Sequence, residues 1–238
     1  MRRFYASIQQ FQAETVALNL EETRHLRDVL RLKETAVVQV FDGAGREFLC
    51  EIQKIGQRET LLKIIEETTP PAPESNLNLI LAVALLKGEK FDLVVQKAVE
   101  LGVTKLIPLN TKRADVRLKD TDKRFERWGK IALEAAKQSG RAKLMAIEKP
   151  LEFKNFVETA DGSRILFAER GGANFSDIKK TKKITAAVGA EGGWEAWEIE
   201  LAREKEFQIV TFKGRILRAE TAAVSIAAVL QHRFGDFV

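Results

Sequence analysis

Two short loops near the C-terminal end of the chain carry residue types that suit a ligand site. The first, GAEGGW at residues 189–194, contains three glycines, and glycine lets a backbone approach a bound molecule closely. The second, FKGRILRAET at residues 212–221, sets two arginines and a glutamate around two aliphatic residues, directly before a small-residue helical pattern. A tight strand-to-helix turn explains the first loop alone, but an ordinary turn does not require the mixture in the second.

The elements around these loops predict how they are positioned. An apolar run at residues 184–188 predicts a strand, a Glu-rich helical pattern follows the glycines, and residues 207–212 predict a second strand. In open α/β sheets, ligands bind outside the carboxyl ends of the strands. We therefore expect the two loops to follow neighbouring strands and to face one pocket.

The rest of the chain predicts two domains. Short alternating strands and one helix occupy residues 1–69, whereas strands and helices alternate from residue 76 onward, as in a parallel α/β sheet. The prolines at residues 70–73 stiffen the chain and cannot continue a sheet ladder, so we place the boundary between domains 1–72 and 73–238. The predicted strands are residues 36–41, 47–55, 60–65, 78–84, 105–109, near 143–147, 164–168, 184–188 and 207–212. The predicted helices are residues 21–30, 91–101, 122–140 and 222–234.

Composition excludes several classes of protein. Apolar runs at residues 77–86 and 222–230 are too short to span a bilayer, and the N-terminus lacks the apolar region of an export signal. The single cysteine, Cys50, lies in an alternating strand pattern and is expected in a core, so we expect a cytoplasmic protein without a disulfide. Two histidines and one cysteine cannot supply a usual metal-ligand set, so no metal is expected. Dehydrogenase and nucleotide triphosphatase motifs are absent from the sequence.

The positive charge of the chain is concentrated in one stretch. Residues 112–143 contain eleven Lys or Arg against five Asp or Glu, a net of +6, so that the remainder of the chain nets −1 against a total of +5. Such a cluster suits a nucleic-acid face, although a solvated helix flank looks the same. In the predicted helix 122–140, Trp128 and the aliphatic residues form the buried side, which leaves the basic residues nearer solvent.

Together the two loops resemble the signature of the SPOUT methyltransferases, and within them the ribosomal RNA small-subunit methyltransferase E family. The resemblance covers nearly the whole chain, because further matches occur in order at Lys87-Gly88-Glu89-Lys90, QKAVELGV at residues 96–103, Arg127-Trp128 and Gln138-Ser139-Gly140-Arg141. The sequence departs from the family pattern at Ala190, where proline is usual, and at Phe212-Lys213, where the family has Leu-Gly.

This resemblance implies a fold, a reaction and a cofactor. The fold would be α/β, with a SPOUT-type parallel sheet and a C-terminal trefoil knot in residues 73–238, preceded by a PUA-like β-barrel that helps hold RNA in residues 1–72. The reaction would be methylation of N3 of a uridine, of the position-1498 type, in 16S ribosomal RNA, with S-adenosylmethionine as the donor. The residues expected at the cofactor are Leu166, Phe167, Ala168, Gly189, Glu191, Gly192, Gly193, Phe212, Gly214, Ile216, Leu217, Arg218 and Thr221.

The chemistry of uridine N3 indicates roles for three charged residues. Because N3 must lose a proton, charge develops on the uracil oxygens, and Arg215 and Arg218 are permanently charged groups that could stabilise it. Glu220 could accept the proton or hold an arginine. Alternatively, Arg218 and Glu220 form an ion pair that only shapes the loop.

The RNA-binding surface and the oligomeric state complete the set of expectations. Basic residues expected to contact RNA phosphates are Arg2, Arg3, Arg24, Arg27, Arg31, Arg113, Arg117, Lys123, Arg124, Arg127 and Arg141. His25 suits a structural position, although the resemblance places a recurrent histidine there.

The final helix is apolar on almost every side, which suits a homodimer interface. Two other functions stay open: a SPOUT ribose 2′-O-methyltransferase acting on tRNA or rRNA, and a non-catalytic RNA-binding factor for ribosome assembly.

Overall fold

The chain divides into two compact units. A computed structural model describes residues 2–114, 116 and 121–237, and the side chains of residues 121 and 122 are not described. The first unit contains the chain up to Glu74 together with Ala136–Leu144, and the second contains Ser75–Ala135 and the chain from Met145 onward. The boundary between residues 72 and 73 stays a prediction.

A curled five-stranded sheet forms the first unit. Its strands are β1 (Arg3–Tyr5), β2 (Thr15–Leu18), β3 (Val37–Phe41), β4 (Glu47–Ile55) and β5 (Thr60–Thr68). They lie in the order β1-β3-β4-β5-β2, with β1 parallel to β3 and the other pairs antiparallel. Register shifts in β4 after Leu49 and after Ile52 increase the local twist of the sheet. The inward side chains include Phe4, Val38, Val40, Cys50, Ile52 and Leu62.

The helix predicted at residues 21–30 is present in two parts. Helix α1 (Leu20–Arg24) begins at Asn19, whose side chain accepts a hydrogen bond from the Glu22 N–H at 2.9 Å. A π-helical turn, His25–Val29, continues it. His25 is half-buried and meets the Phe4 ring edge-on at 6.0 Å between centroids, so it packs against the core of this unit. A 3-10 helix, Ile8–Gln10, connects β1 and β2.

A parallel sheet forms the second unit. Its described strands are β6 (Asn78–Ala84), β7 (Lys105–Asn110), β8 (Ala146–Ile147), β9 (Leu151–Glu152), β10 (Ser163–Phe167), β11 (Ala173–Asn174), β12 (Lys183–Val188) and β13 (Gln208–Thr211). The order is β11-β13-β10-β12-β6-β7-β8, with β9 also paired to β7. The helices are α2 (Lys90–Glu100), α3 (Thr121–Ser139), α4 (Phe153–Thr159), α5 (Ala196–Glu204) and α6 (Ala219–Phe234), with a 3-10 helix at Phe175–Asp177.

The strands that precede the two ligand loops are not neighbours, so that expectation was wrong. Strand β10 lies between β12 and β13 and pairs in parallel with both, through Ile165 to Ala186 on one side and Ile165 to Gln208 on the other. The long crossover after β12 therefore passes over β10 before the chain re-enters the sheet. As a result, three strand ends, not two, point toward the loops.

Helices cover both faces of this sheet. Helices α4 and α5 pack on one face, where Phe156, Ala202 and Leu166 belong to one buried cluster. Alternate strand positions point to the other face, where α6 packs on β6 and β12 and against α2. Val94, Val95 and Ala98 form the buried stripe of α2, whereas Leu93 is 42% exposed. The trefoil knot stays a prediction.

Among the described residues, no helix is both long and apolar enough to cross a membrane. Cys50 is fully buried, as predicted, and burial raises the pKa of its thiol to about 12, so the thiol is neutral and unreactive near pH 7.

A buried ion pair links the strands of the first unit to the end of α3. Arg3 bonds Glu47 through both nitrogens of its fork, at 2.8 and 3.0 Å, and the two side chains are 7% and 0% exposed. The same guanidinium donates to the carbonyls of Ala136 and Lys137 at 3.0 Å. These carbonyls lie in the last turn of α3, where a helix leaves its carbonyls for partners beyond its own backbone, so Arg3 contributes to satisfying the helix end.

We predict that Arg3→Ala destabilises the protein by about 3–5 kcal/mol, because it leaves the Glu47 carboxylate buried without its counter-ion. Urea unfolding of the full chain measures this loss. Arg46→Ala serves as the matched control, since Arg46 pairs with Glu67 on the same sheet but both side chains are exposed. A similar small loss in both variants would contradict the structural role of Arg3.

Candidate cofactor and substrate site

One cavity lies at the carboxyl ends of β10, β12 and β13. Its volume is about 280 Å³, and both ligand loops line it. The residues around it are Arg113, Phe167, Ala168, Glu169, Arg170, Val188, Gly189, Ala190, Glu191, Gly192, Gly193, Trp194, Ile199, Phe212, Gly214, Arg215, Ile216, Leu217, Ala219, Ala222 and Ile226. The two loops therefore face one pocket, as the sequence predicted, and β10 supplies the wall between them.

The glycine loop is a tight turn that needs its glycines. The Gly193 N–H donates to the Ala190 carbonyl at 2.9 Å, and Gly193 has a φ of +69°, a conformation that side chains with a Cβ rarely adopt. A Cβ on Gly189 would lie 3.1 Å from the ring of Trp194. The Trp194 indole N–H donates to the Phe167 carbonyl at 2.9 Å, which joins this loop to the end of β10.

Arg113 holds the glycine loop from a distant part of the chain. It follows β7, and its guanidinium donates to the Gly192 carbonyl at 2.8 Å and to Glu195 at 3.0 Å. A Cβ on Gly192 would lie 3.2 Å from the Cβ of Arg113, so glycine at this position permits the close contact. Arg113 lies in the cavity wall with its side chain 46% exposed, and its predicted contact with RNA phosphate stays a prediction.

Glu198 fixes the segment that carries Arg113. Its side chain is fully buried and accepts the Lys112 N–H at 3.0 Å and the Glu195 N–H at 2.8 Å. The second bond belongs to a capping box at the start of α5. One carboxylate thus ties the segment after β7 to the N-terminus of α5, and both flank the glycine loop.

The arginine loop forms the opposite wall and leaves apolar side chains uncovered. Phe212 packs between Phe167 and Phe175, at centroid distances of 5.4 and 5.2 Å. Beyond it, Ile216 and Leu217 line the cavity but are 67% and 38% exposed. Two large apolar side chains at the mouth of a cavity suit contact with a bound molecule.

Three predicted residues of this loop and its helix do not line the cavity. Arg218 is exposed and occupies the N-cap position of α6, where its carbonyl accepts the Ala222 N–H at 2.8 Å. Thr221 is exposed on the first turn of α6. Glu220 is only 9% exposed, and its Oε2 atom accepts no hydrogen bond from the described part of the chain. Leu166 also lies away from the cavity, in the buried core cluster.

Glu191 projects from the glycine loop into a group of positive charges. Lys90 forms an ion pair with it, and this hydrogen bond, the Lys90 charge, and the nearby charges of Arg218 and Lys87 hold the pKa of the Glu191 carboxyl below its ordinary value. The segment Lys87–Lys90, noted only as part of the resemblance, therefore meets the cavity rim.

Comparison with known proteins identifies the family. Residues 73–231 match the model of an RNA methyltransferase domain, and residues 18–66 match that of an RNA methyltransferase PUA domain. The chain is 34% identical over 238 residues to the ribosomal RNA small subunit methyltransferase E of Synechocystis, covering 95% of this chain and 76% of that protein. The chain belongs to the ribosomal RNA small subunit methyltransferase E family. The Aquifex aeolicus member is 30% identical and covers 98% of this chain and 100% of its own.

Solved structures of this family confirm the fold. The Neisseria gonorrhoeae ribosomal RNA small subunit methyltransferase E, crystallised with S-adenosylmethionine, has a TM-score of 0.92 at 32% identity and covers 100% of both chains. A methyltransferase structure from Legionella pneumophila with the same bound cofactor has a TM-score of 0.91 at 28% identity and covers 98% of both chains. The predicted combination of a PUA-like domain and a SPOUT-type parallel sheet is thus confirmed.

Two of the arginines expected at the RNA surface of this family member are buried instead. Arg3 pairs with Glu47, and Arg141 is 4% exposed and pairs with Glu74 at 2.7 and 3.0 Å. Neither guanidinium can reach an RNA phosphate from these positions, so both predictions are corrected.

The other predicted basic residues lie at the surface or outside the described residues. Arg127 is exposed but pairs with Asp92 at 2.5 Å, which offsets part of its charge. Arg27 is half-buried and pairs with Asp28 at 2.6 Å. Arg124 is half-buried, and the exposed residues are Arg2, Arg24, Arg31 and Lys123. Arg117 lies outside the described residues. Within those residues, no group of three or more His, Cys, Asp or Glu could hold a metal ion.

Sequence reasoning missed several residues of the cavity. Trp194 follows the last glycine directly, so its position could have suggested a role, whereas Glu169 and Arg170 simply continue the β10 wall beyond the predicted residues. The residues around Arg113 in the sequence do not predict that it lines the cavity, because its partner Gly192 is 79 positions away.

We predict that Glu198→Gln loosens the segment that carries Arg113. The amide has one acceptor oxygen where the carboxylate has two, so one buried backbone N–H loses its partner at a cost of about 1–3 kcal/mol. Hydrogen exchange at the Lys112 and Glu195 amides should accelerate at least about tenfold, the equivalent of the lower part of that range.

Glu200→Gln is the matched control, because Glu200 lies on the same helix but is exposed and bonds only Arg203. Wild-type exchange at both amides in the Glu198 variant would show that the carboxylate does not organise this segment.

Proposed function

We propose that this protein transfers the methyl group of S-adenosylmethionine to N3 of a uridine, of the position-1498 type, in 16S ribosomal RNA. The observation that carries the proposal is the cavity between the glycine loop and the arginine loop. Membership of the small subunit methyltransferase E family supports it, as do the relatives crystallised with the same cofactor.

The cavity fits the proposed cofactor in shape and chemistry. Phe167, Ile216, Leu217 and Ile226 offer apolar surface for a flat adenine. The glycines let the backbone of this loop pack closely at the cavity wall, since a Cβ on Gly189 or Gly192 would lie only 3.1 or 3.2 Å from Trp194 or Arg113. When bound, S-adenosylmethionine supplies an electrophilic methyl group on a positively charged sulfur.

The residues of this chain must then remove the proton from uridine N3 and stabilise the charge that develops on the uracil. A bond forms from N3 to the methyl carbon while the sulfur–carbon bond breaks. The N3 proton passes to the carboxylate of Glu220, which lies outside the cavity lining but directly follows the lining residue Ala219. Arg215, at the cavity wall, and Arg218, beside Glu191, offset the negative charge that develops on the uracil oxygens. These three residues are the proposed catalytic set.

The burial of Glu220 supports this assignment over an ion pair that only shapes the loop. Leaving a buried acceptor atom without a hydrogen bond costs about 1–3 kcal/mol of folding free energy, so buried acceptors normally have a partner. Its Oε2 atom receives no hydrogen bond from the described residues, and Arg218 extends into solvent. An acidic N–H of the substrate is a partner of the right chemistry.

Nucleoside mass spectrometry tests the reaction. Protein, small-subunit RNA and S-adenosylmethionine are incubated, and the RNA is digested to nucleosides, with a reaction lacking cofactor as the control. N3-methyluridine is the expected product. A ribose 2′-O-methyl nucleoside would identify a different SPOUT reaction, and no methylated product together with RNA binding would indicate a non-catalytic assembly factor.

We predict that Arg218→Ala lowers the single-turnover rate at least about a hundredfold, the usual loss when one group that stabilises developing charge is removed. Affinity for S-adenosylhomocysteine, measured by calorimetry, should change little. Arg203→Ala is the control, since Arg203 is exposed on α5 and pairs with Glu200. A rate near wild type at saturating RNA and cofactor would transfer the role to Arg215.

The partners form part of the proposal. We infer a cytoplasmic homodimer that acts on an assembled or assembling small ribosomal subunit. Exposed basic residues of the protein contact the phosphates of its RNA. One side of α6 is buried, through Ala223, Ile226 and Leu230, while Val224 and Val229 are only half-buried in one chain and suit a subunit contact. Sedimentation should show a dimer at micromolar concentration, and a fully active monomer would exclude this role for α6.

A further inference from the structure

A second cavity lies next to the cofactor cavity. The segment after β7 and the first turn of α5 separate the two: Arg113 and Trp194 face the cofactor side, whereas Lys112 and Trp197 face the other. Because this segment continues from the carboxyl end of β7, both cavities open at the same edge of the parallel sheet. A chain-like substrate whose target nucleotide enters the first cavity would pass the second.

Trp197 lines this second cavity with an exposed indole ring. Its side chain is 42% exposed, whereas Trp128 and Trp194 are 2% and 7% exposed. The Phe153 ring meets the indole at 83° with 6.1 Å between centroids, which holds its orientation, and the Lys154 ammonium lies 5.4 Å from the ring centroid. The fold thus presents an oriented aromatic ring to solvent.

The polar groups around Trp197 suit a neutral, hydrogen-bonding partner. Lys112 and Lys154 are balanced by Glu152 and Glu198, so the formal charges of the lining cancel. Both Glu198 oxygens already accept backbone N–H groups, and Glu152 accepts from the Asn110 amide at 2.8 Å. The amide of Asn155 adds a further donor and acceptor. A nucleobase matches this surface better than a bare phosphate does.

We propose that this cavity binds an unstacked base of the RNA substrate, from a nucleotide flanking the target uridine, stacked on the indole of Trp197. The proposal rests on the RNA methyltransferase function above and adds a substrate subsite to it. Single-stranded RNA is commonly held by bases stacked on aromatic side chains. Stacking displaces the Lys154 ammonium from the ring toward the phosphate of the same nucleotide, so its charge still has a partner.

A homodimer built on α6 would leave this subsite open. Helix α6 packs on the sheet face opposite α4 and α5, and Trp197 belongs to α5. The exposed indole therefore is not accounted for by the proposed subunit contact.

RNA affinity of matched variants tests the subsite. The probe is a labelled fragment of 16S ribosomal RNA that contains the methylated uridine, located by mass spectrometry of ribonuclease fragments. It is titrated into the full-length protein saturated with S-adenosylhomocysteine. Trp197→Leu should raise the dissociation constant about tenfold, as expected for the loss of one base–aromatic stack, and Trp197→Phe should stay within about threefold. Phe237→Leu is the control, because Phe237 is a 44% exposed aromatic far along the chain from α5.

Tryptophan fluorescence supplies a second measurement that needs no destabilising substitution. RNA should quench part of the emission of the wild-type protein, and this quenching should be clearly smaller in Trp197→Phe, where Trp128 and the cavity residue Trp194 remain. Affinity for S-adenosylhomocysteine should be equal in all four proteins.

The outcomes separate the two proposals. If the wild-type protein binds RNA but Trp197→Leu binds it equally well, or the quenching is undiminished in Trp197→Phe, the subsite is excluded and the methyltransferase proposal stands. If the wild-type protein binds no RNA, the proposed function itself fails.

Discussion

The placement of β10 between β12 and β13 is the constraint on which the site depends. Parallel pairing on both sides brings three strand ends to one edge, and each strand is followed there by residues that line the same cavity. Because register in a buried parallel sheet is fixed on both faces, a shift of β10 by one residue would turn Phe167 away from Phe212. The distance between the two loops is therefore set by the sheet and not by the loops themselves.

Around this edge, a few polar contacts hold the loops. The Trp194 N–H binds the last carbonyl of β10, Arg113 binds the Gly192 carbonyl, and Glu198 binds the segment from which Arg113 extends. Each contact joins residues far apart in the sequence. In the opposite wall, by contrast, Ile216 and Leu217 have no such tether and remain exposed. One wall is thus organised before a ligand arrives, whereas the other offers apolar surface to it.

The sequence predicted elements well where hydrophobic pattern alone determines them. The strands at Glu47–Ile55 and Asn78–Ala84 have the predicted bounds, because their apolar residues end at clear turn or polar positions. The glycine and arginine loops were recognised from residue type, since few other structures need those residues in that order. Strand order could not be predicted, because an apolar run indicates that a strand is buried but does not indicate which strand lies beside it.

Most of the wrong predictions concern charged residues, because the local sequence does not show which residues become neighbours in the fold. Arg3 and Arg141 look like RNA contacts in a basic chain, yet their partners Glu47 and Glu74 lie 44 and 67 positions away, and only the fold shows them paired. Whether an arginine faces RNA or a carboxylate depends on tertiary contacts that local composition does not contain.

The assignment of residues 136–144 to the first unit has a consequence for biosynthesis. Arg3 satisfies carbonyls at the end of α3, so the barrel-like unit is discontinuous in sequence and includes a segment made long after its strands. During translation, its five strands emerge first but lack that segment until more than half of the chain has been synthesised. The first unit is thus expected to complete its folding only after residues 136–144 have left the ribosome, although Arg3 and Glu47 are both available earlier.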